Sequence, residues 1–122
     1  MALLTKARYD LEARTLAFAK DVRQFVKVLP RSVANIEDGK QVVRSSGSVG
    51  ANYIEANEAL SKKDFVMRLK IARKEAKESA YWLKIIEVVG SSETKRAVLE
   101  REAMELTLIL SAILRKSEEH KL

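Results

Sequence analysis

Cysteine is absent from the 122 residues, which excludes disulfides, thiolate metal sites and a thiol nucleophile. One proline and four glycines leave few places where the chain is forced to turn. The only histidine, His120, sits among the last three residues. A di-metal carboxylate bundle needs two inward Glu-x-x-His pairs, so that chemistry has no ligands here. No apolar run approaches the roughly 18 residues of a membrane span. The opening MALLTKARYD is too short and too charged for a secretory signal. These absences point to a cytoplasmic protein without a cofactor. At 47% apolar content, residues 1–122 suit one domain with a modest core.

What the chain does contain is helical periodicity. Leu11, Phe18, Val22, Phe25 and Leu29 recur at spacings of three, four or seven, predicting a helix over 5–29. Leu29-Pro30 ends it, because the residue before proline is pushed out of the helical region. Ser32 or Asn35 can cap a second helix over 35–59. Its apolar positions are Ile36, Val43, Gly47, Gly50 and Ile54, with Val42, Val49 and Tyr53 alongside. Ser61 caps a third over 62–89, with Asp64 in the first turn and Phe65, Leu69, Ala72, Ala76, Ser79, Leu83 and Ile86 on one stripe. Gly90 stops it. A fourth runs over 92–117 with Val98, Leu99, Leu106, Ile109 and Ile113 inward. Short connections make neighbours antiparallel, so the fold class is all-α, an up-down-up-down four-helix bundle.

One stretch of the second helix, RSSGSVGANYIEANEA, has the look of a phosphate loop. A Walker-type cradle ends in Gly-Lys-Ser/Thr, whereas Gly50 is followed by Ala51-Asn52 with no strand before it. A linker is excluded because apolar residues continue through it at helical period. It reads instead as a helix whose small inward residues let another backbone come close. Each glycine costs about 1 kcal/mol of helix propensity, and close packing is the compensation.

Net charge is +6 and unevenly spread: +3 over 1–30, −1 over 31–61, +4 over 62–90 and zero over 91–122. The third helix carries Lys63, Lys70, Lys77 and Lys84 at intervals of seven, a single column broadened by Lys74 and Arg73. Such a column can be a rail for phosphates. It can equally be a solvated face, diluted if Glu78 pairs with Lys74 and Glu87 with Lys84. The same helix has a second apolar set, Met67, Ile71, Tyr81, Trp82, Ile85 and Val89. Large apolar patches are uncommon on monomers, which favours self-association; a wide stripe covering the monomer's own core is the alternative.

Glu55, Glu75 and Glu78 are the acids nearest apolar positions and are expected to pair with Arg44, Arg68 or Arg73. Asn52 and Glu55 are expected in buried polar links within or between subunits. Without cysteine, a usable histidine or a glycine-rich phosphate loop, enzymatic chemistry has little to stand on; carboxylate-only hydrolysis is the alternative left, with nothing in the sequence to support it, and no enzymatic activity is expected.

The run QVVRSSGSVGANYIEANEALSKKDFVMRLKIARKEAKESAYWLKII resembles the four-helix-bundle proteins related to those encoded by intervening sequences in 23S ribosomal RNA genes. Arg44-Ser45, Ser48 through Tyr53, Ser61 through Phe65, Lys74-Glu75-Ala76 and Tyr81-Trp82-Leu83 carry the likeness, and RTLAFAKDVRQFVKVLP resembles that family's first helix. The resemblance implies assembly into a ring, a homopentamer. A related branch, the accessory variability determinant of diversity-generating retroelements, associates with a reverse transcriptase and binds nucleic acid through a basic surface. The resulting expectation is a non-enzymatic oligomer that binds nucleic acid, structured RNA or RNA/DNA, through the lysines of the third helix and the basic residues of the first. The rival is a protein-interaction scaffold, such as an accessory subunit of a nucleic-acid enzyme, with no nucleic-acid contact of its own.

Overall fold

The computed structural model describes residues 2–119, with side chains over 10–119, so His120 lies outside it. Four helices follow one another: α1 (Ala2–Lys27), α2 (Val33–Asn57), α3 (Lys62–Ile85) and α4 (Ser92–Glu119). No strand occurs among the described residues. Each helix packs on two others, α2 and α4 both lying against α1 and α3, as in a four-helix bundle.

Local chemistry explains the starts. Ser32 Oγ accepts the Asn35 N–H at 3.1 Å and Ser61 Oγ accepts the Asp64 N–H at 3.1 Å. Each cap satisfies a donor that the first helical turn leaves over, worth about 1 kcal/mol. Ser32 is therefore the cap of α2, and Asn35 has a different task. Its buried side chain donates to the carbonyls of Pro30 (3.0 Å) and Glu87 (2.9 Å) and accepts the Glu87 N–H (3.1 Å).

That clamp accounts for the end of α3. The helix stops at Ile85, four residues before the expected Val89, and Ile86 turns extended at φ −61°, ψ 133°. Glu87 cannot give its backbone groups both to a helix and to Asn35. Gly90, with φ +57°, then turns the chain into α4 rather than ending α3. The end of α1 is also earlier than expected, at Lys27, where the N–H groups of Val28 and Leu29 reach back three residues to Phe25 and Val26. This tightened turn brings the extended residue before Pro30 into place.

The core takes Phe18, Val22 and Phe25 from α1, Leu69, Ala76 and Leu83 from α3, and Leu99, Leu106, Leu110 and Leu114 from α4. Val98 is a correction, since it is 58% exposed and the inward stripe of α4 runs through Leu99 and Ala103. In α2 the expected stripe is displaced by about one residue. Ile36 and Ile54 are exposed, Val43 and Gly47 are half-buried, and the buried line is Asn35, Gly39, Val42, Ser45, Ser46, Val49, Gly50 and Tyr53. Size decides this, because small inner residues allow neighbouring helices to come close and the large apolar ones are displaced outward.

Gly50 is where α1 comes closest. A Cβ there would lie 2.8 Å from Thr15 Oγ1 and 3.1 Å from Thr15 Cβ. Thr15 is buried and its hydroxyl donates to the Leu11 and Glu12 carbonyls, so it has little room to yield. At Gly47 a Cβ would meet only the end of the Arg23 side chain, at 3.2 Å. Gly50→Ala is therefore expected to destabilise the fold by about 1–3 kcal/mol. Gly47→Ala should be neutral or gain up to about 1 kcal/mol of helix propensity. Thermal melts followed by circular dichroism compare the two, and equal Tm changes would refute the close-approach account.

Candidate nucleic-acid interface

The face of α3 away from the core is positioned by its seam with α2. Ser45 and Ser79, both fully buried, stand with their hydroxyl oxygens 2.7 Å apart. Ser79 gives its proton to the Glu75 carbonyl at 2.9 Å, so Ser45 is the natural donor between them. One turn outward, Arg44 reaches Glu75 with Nη1 (3.3 Å) and Glu78 with Nη2 (3.1 Å). Arg68 Nη1 donates to Asn52 Oδ1 at 3.1 Å, while Asn52 Nδ2 donates to the Ser48 carbonyl at 2.9 Å. Arg44 thus pairs with Glu75 and Glu78 as expected, and Asn52 makes its polar link half-buried rather than buried. Glu55 makes no such link: it is exposed, with no partner among the described residues. It follows Ile54 onto the outer side of α2.

With that flank tied to α2, Lys63, Lys70, Lys77 and Lys84 point away from the bundle, all exposed and about 10.5 Å apart along the axis. None forms an ion pair with a described acid. The two expected dilutions are absent. Glu78 is held by Arg44 rather than Lys74, and Glu87 has left the helix, its backbone bonded to Asn35. Lys74 is exposed beside the column and Arg73 is half-buried. The field along α3 is therefore stronger than the pattern of charges suggests.

The second apolar set divides. Met67, Tyr81 and Ile85 are exposed, as is Val89 beyond the helix end. Ile71 is half-buried. Trp82 packs against the core, with its Nε1 buried and without a hydrogen-bond partner, and makes an edge contact with Tyr81 at 5.1 Å and 74°. For Trp82 the wide-stripe alternative is the right description.

Two grooves are absent from the sequence reading. One, of about 410 Å³, lies at the α1–α2 turn between Val26, Leu29, Ile36 and Val43, with Lys27, Arg31 and Lys40 at its edge. The other, of about 330 Å³, runs between α3 and α4, lined by Lys77, Ala80, Tyr81, Lys84, Met104, Thr107 and Leu108. Lys77, Tyr81 and Lys84 are candidates from the sequence; on α4 the signal is the pair Met104 and Leu108, apolar residues four apart and off its core stripe.

On the opposite side, Arg14 ties α1 to α4 by a bidentate pair with Glu102 (2.7 and 2.8 Å) and a contact to Glu105 (3.1 Å). The hydrogen bond with Glu102 is the main reason its guanidinium is held even more firmly protonated than usual, with the nearby negative charges adding to it. No group of three His, Asp or Glu able to hold a metal occurs among the described residues. Among the described residues no helix is long and apolar enough to cross a membrane. The chemistry on offer is cationic and aromatic, with Glu75 and Glu78 occupied by Arg44.

Four helices around one core, tied by an arginine-carboxylate seam, place the chain among four-helix proteins. Residues 9–112 match the family of 23S rRNA-intervening sequence proteins, and the chain belongs to that family. It is similar in structure to a protein of unknown function from the S23 ribosomal protein family of Bacteroides thetaiotaomicron VPI-5482. The two share 29% identity over 88% of this chain and 97% of the other, with a TM-score of 0.74. No curated protein matches.

The Arg44 seam is testable by stability. Glu75 is nearly buried, so Arg44→Ala leaves a desolvated carboxylate without its counter-charge. Because Arg44 itself is half exposed, the loss is expected to be about 1–2 kcal/mol rather than that of a fully buried pair. Adding Glu75→Gln should recover part of it in urea denaturation, and no recovery would show that the pair does not hold the seam.

Proposed function

We propose that this chain is a non-enzymatic oligomer that binds nucleic acid, structured RNA above all, through the lysine column of α3. The observation that carries the reading is the register of Lys63, Lys70, Lys77 and Lys84: one exposed line, unpaired with any described acid. Four exposed ammonium groups along one side of a helix can each meet a phosphate of a nucleic-acid backbone, and the family's name refers to intervening sequences of 23S rRNA. The reading takes the helices as up-down-up-down, as the short connections favour, and places the protein in the cytoplasm. It includes assembly into a ring of five, with the exposed Met67 and Ile85 as contributors to a shared surface and Tyr81 left to the α3–α4 groove.

Replacing all four lysines by glutamine tests the binding face. With four phosphate contacts, affinity for a structured RNA should fall about a hundredfold between 50 and 200 mM salt, and the variant should lose both the binding and that dependence. Unchanged RNA retention by the variant would sink the assignment. The rival is a scaffold for another protein, such as a reverse transcriptase that the chain serves as accessory subunit. Pull-down from extract with and without nuclease separates the two, since partners that survive nuclease favour the scaffold.

Assembly has its own test. Met67→Lys with Ile85→Lys changes exposed residues only, whereas Trp82 is avoided because it packs on the core. Light scattering should report a lower mass for the double variant than for the native chain. A native chain that is already a monomer overturns the oligomer.

A further inference from the structure

Two lysines of the column border the α3–α4 groove. Tyr81 lies four residues after Lys77 and three before Lys84, so all three share one face of α3 and line the groove together. Tyr81 is 57% exposed, and Met104 and the 69% exposed Leu108 of α4 form the opposite wall. The edge contact with Trp82 restrains the tyrosine ring. At the bottom, Thr107 gives its hydroxyl proton to the Ala103 carbonyl at 2.8 Å, which leaves its oxygen free to accept. The groove's 330 Å³ is within the range that holds a small ligand.

A flat aromatic face, two apolar walls, one acceptor and two flanking cations suit a planar base carried on a phosphate chain. The charge continues past the groove along Lys70 and Lys63, which fits a repeating polyanion better than a lone carboxylate. We propose that the groove receives one unpaired base, as in a loop of a structured RNA, stacked on Tyr81 between Met104 and Leu108. The adjoining phosphates lie on Lys77 and Lys84, and Thr107 Oγ1 accepts from an exocyclic amino group when the base has one. This rests on the lysine-column reading and sharpens it, because a duplex alone has no free base to offer.

The test uses the full chain with a short single-stranded oligouridylate and a blunt RNA duplex of equal length, at one fixed salt concentration. Tyr81→Ala should weaken the single strand roughly tenfold or more and leave the duplex within about twofold. Tyr81→Phe, which keeps the aromatic face, should restore single-strand binding. Trp82, the single tryptophan, should change its fluorescence when the single strand binds and not when the duplex does. Tyr81→Ala binding the single strand as well as the native chain, or weakening both probes alike, overturns the base pocket. A lower oligomeric mass for Tyr81→Ala also overturns it, because a second copy then fills the groove. If Lys63→Gln with Lys70→Gln leaves both probes bound as before while Tyr81→Ala leaves them unchanged too, the lysine column itself is wrong. If the lysine changes weaken binding and Tyr81→Ala does not, only the pocket falls.

Discussion

The hydroxyl pair Ser45–Ser79 is the contact on which the arrangement of this molecule turns. Two hydroxyls 2.7 Å apart in a dry seam require α2 and α3 to lie close together, which only small inner residues permit. The shorter contacts route the protons from Ser45 to Ser79 and from Ser79 to the Glu75 carbonyl, so neither group is left unsatisfied in the core. A buried polar group without a partner costs about 1–3 kcal/mol, which makes any other register of the two helices unfavourable. The register then decides which side chains meet further out.

Those outer contacts follow in order. Arg44 meets Glu75 and Glu78, Asn52 meets Arg68, and the α2 flank of α3 becomes an ion-paired seam. Because those acids are spent there, they are withdrawn from the lysines, and the column on the far side keeps its charge. The interaction that packs the helices thus also concentrates positive potential on one face, alongside the groove that Tyr81 shares with α4. Packing and electrostatics have a common origin in the α2–α3 register.

A second constraint acts at one end of the bundle. Asn35 holds Pro30 and Glu87 together, so the α1–α2 turn and the exit from α3 are joined by a single buried amide. This shortens α3 by a turn, moves Val89 out of the helix and frees Lys84 from Glu87. A residue that resembles a helix cap works instead as a clamp between distant segments.

Helices, caps and most of the core were legible from spacing, because periodicity, Ser32, Ser61 and Pro30 act over a few neighbouring residues. The inner stripes of α1 and α3 were read correctly where large apolar residues mark them: Phe18, Val22 and Phe25, then Leu69 and Leu83. The stripe of α2 was legible in part: Val42, Val49, Gly50 and Tyr53 are buried as expected, but Asn35, Gly39, Ser45 and Ser46, small or polar at a close seam, carry no hydrophobic signal. Ion-pair partners were legible as types, arginine with glutamate, and only Arg44 among the candidates proved to hold Glu75 and Glu78. The α3–α4 groove was legible only as separate residues, Lys77, Tyr81 and Lys84 on α3, because the wall that Met104 and Leu108 supply exists only once α4 packs beside them. Local order therefore belonged to the chain's own pattern. The inward face of α2, the end of α3 and the partners of its charges were decided by contacts between residues 34 and 52 positions apart, which exist only once the helices have packed.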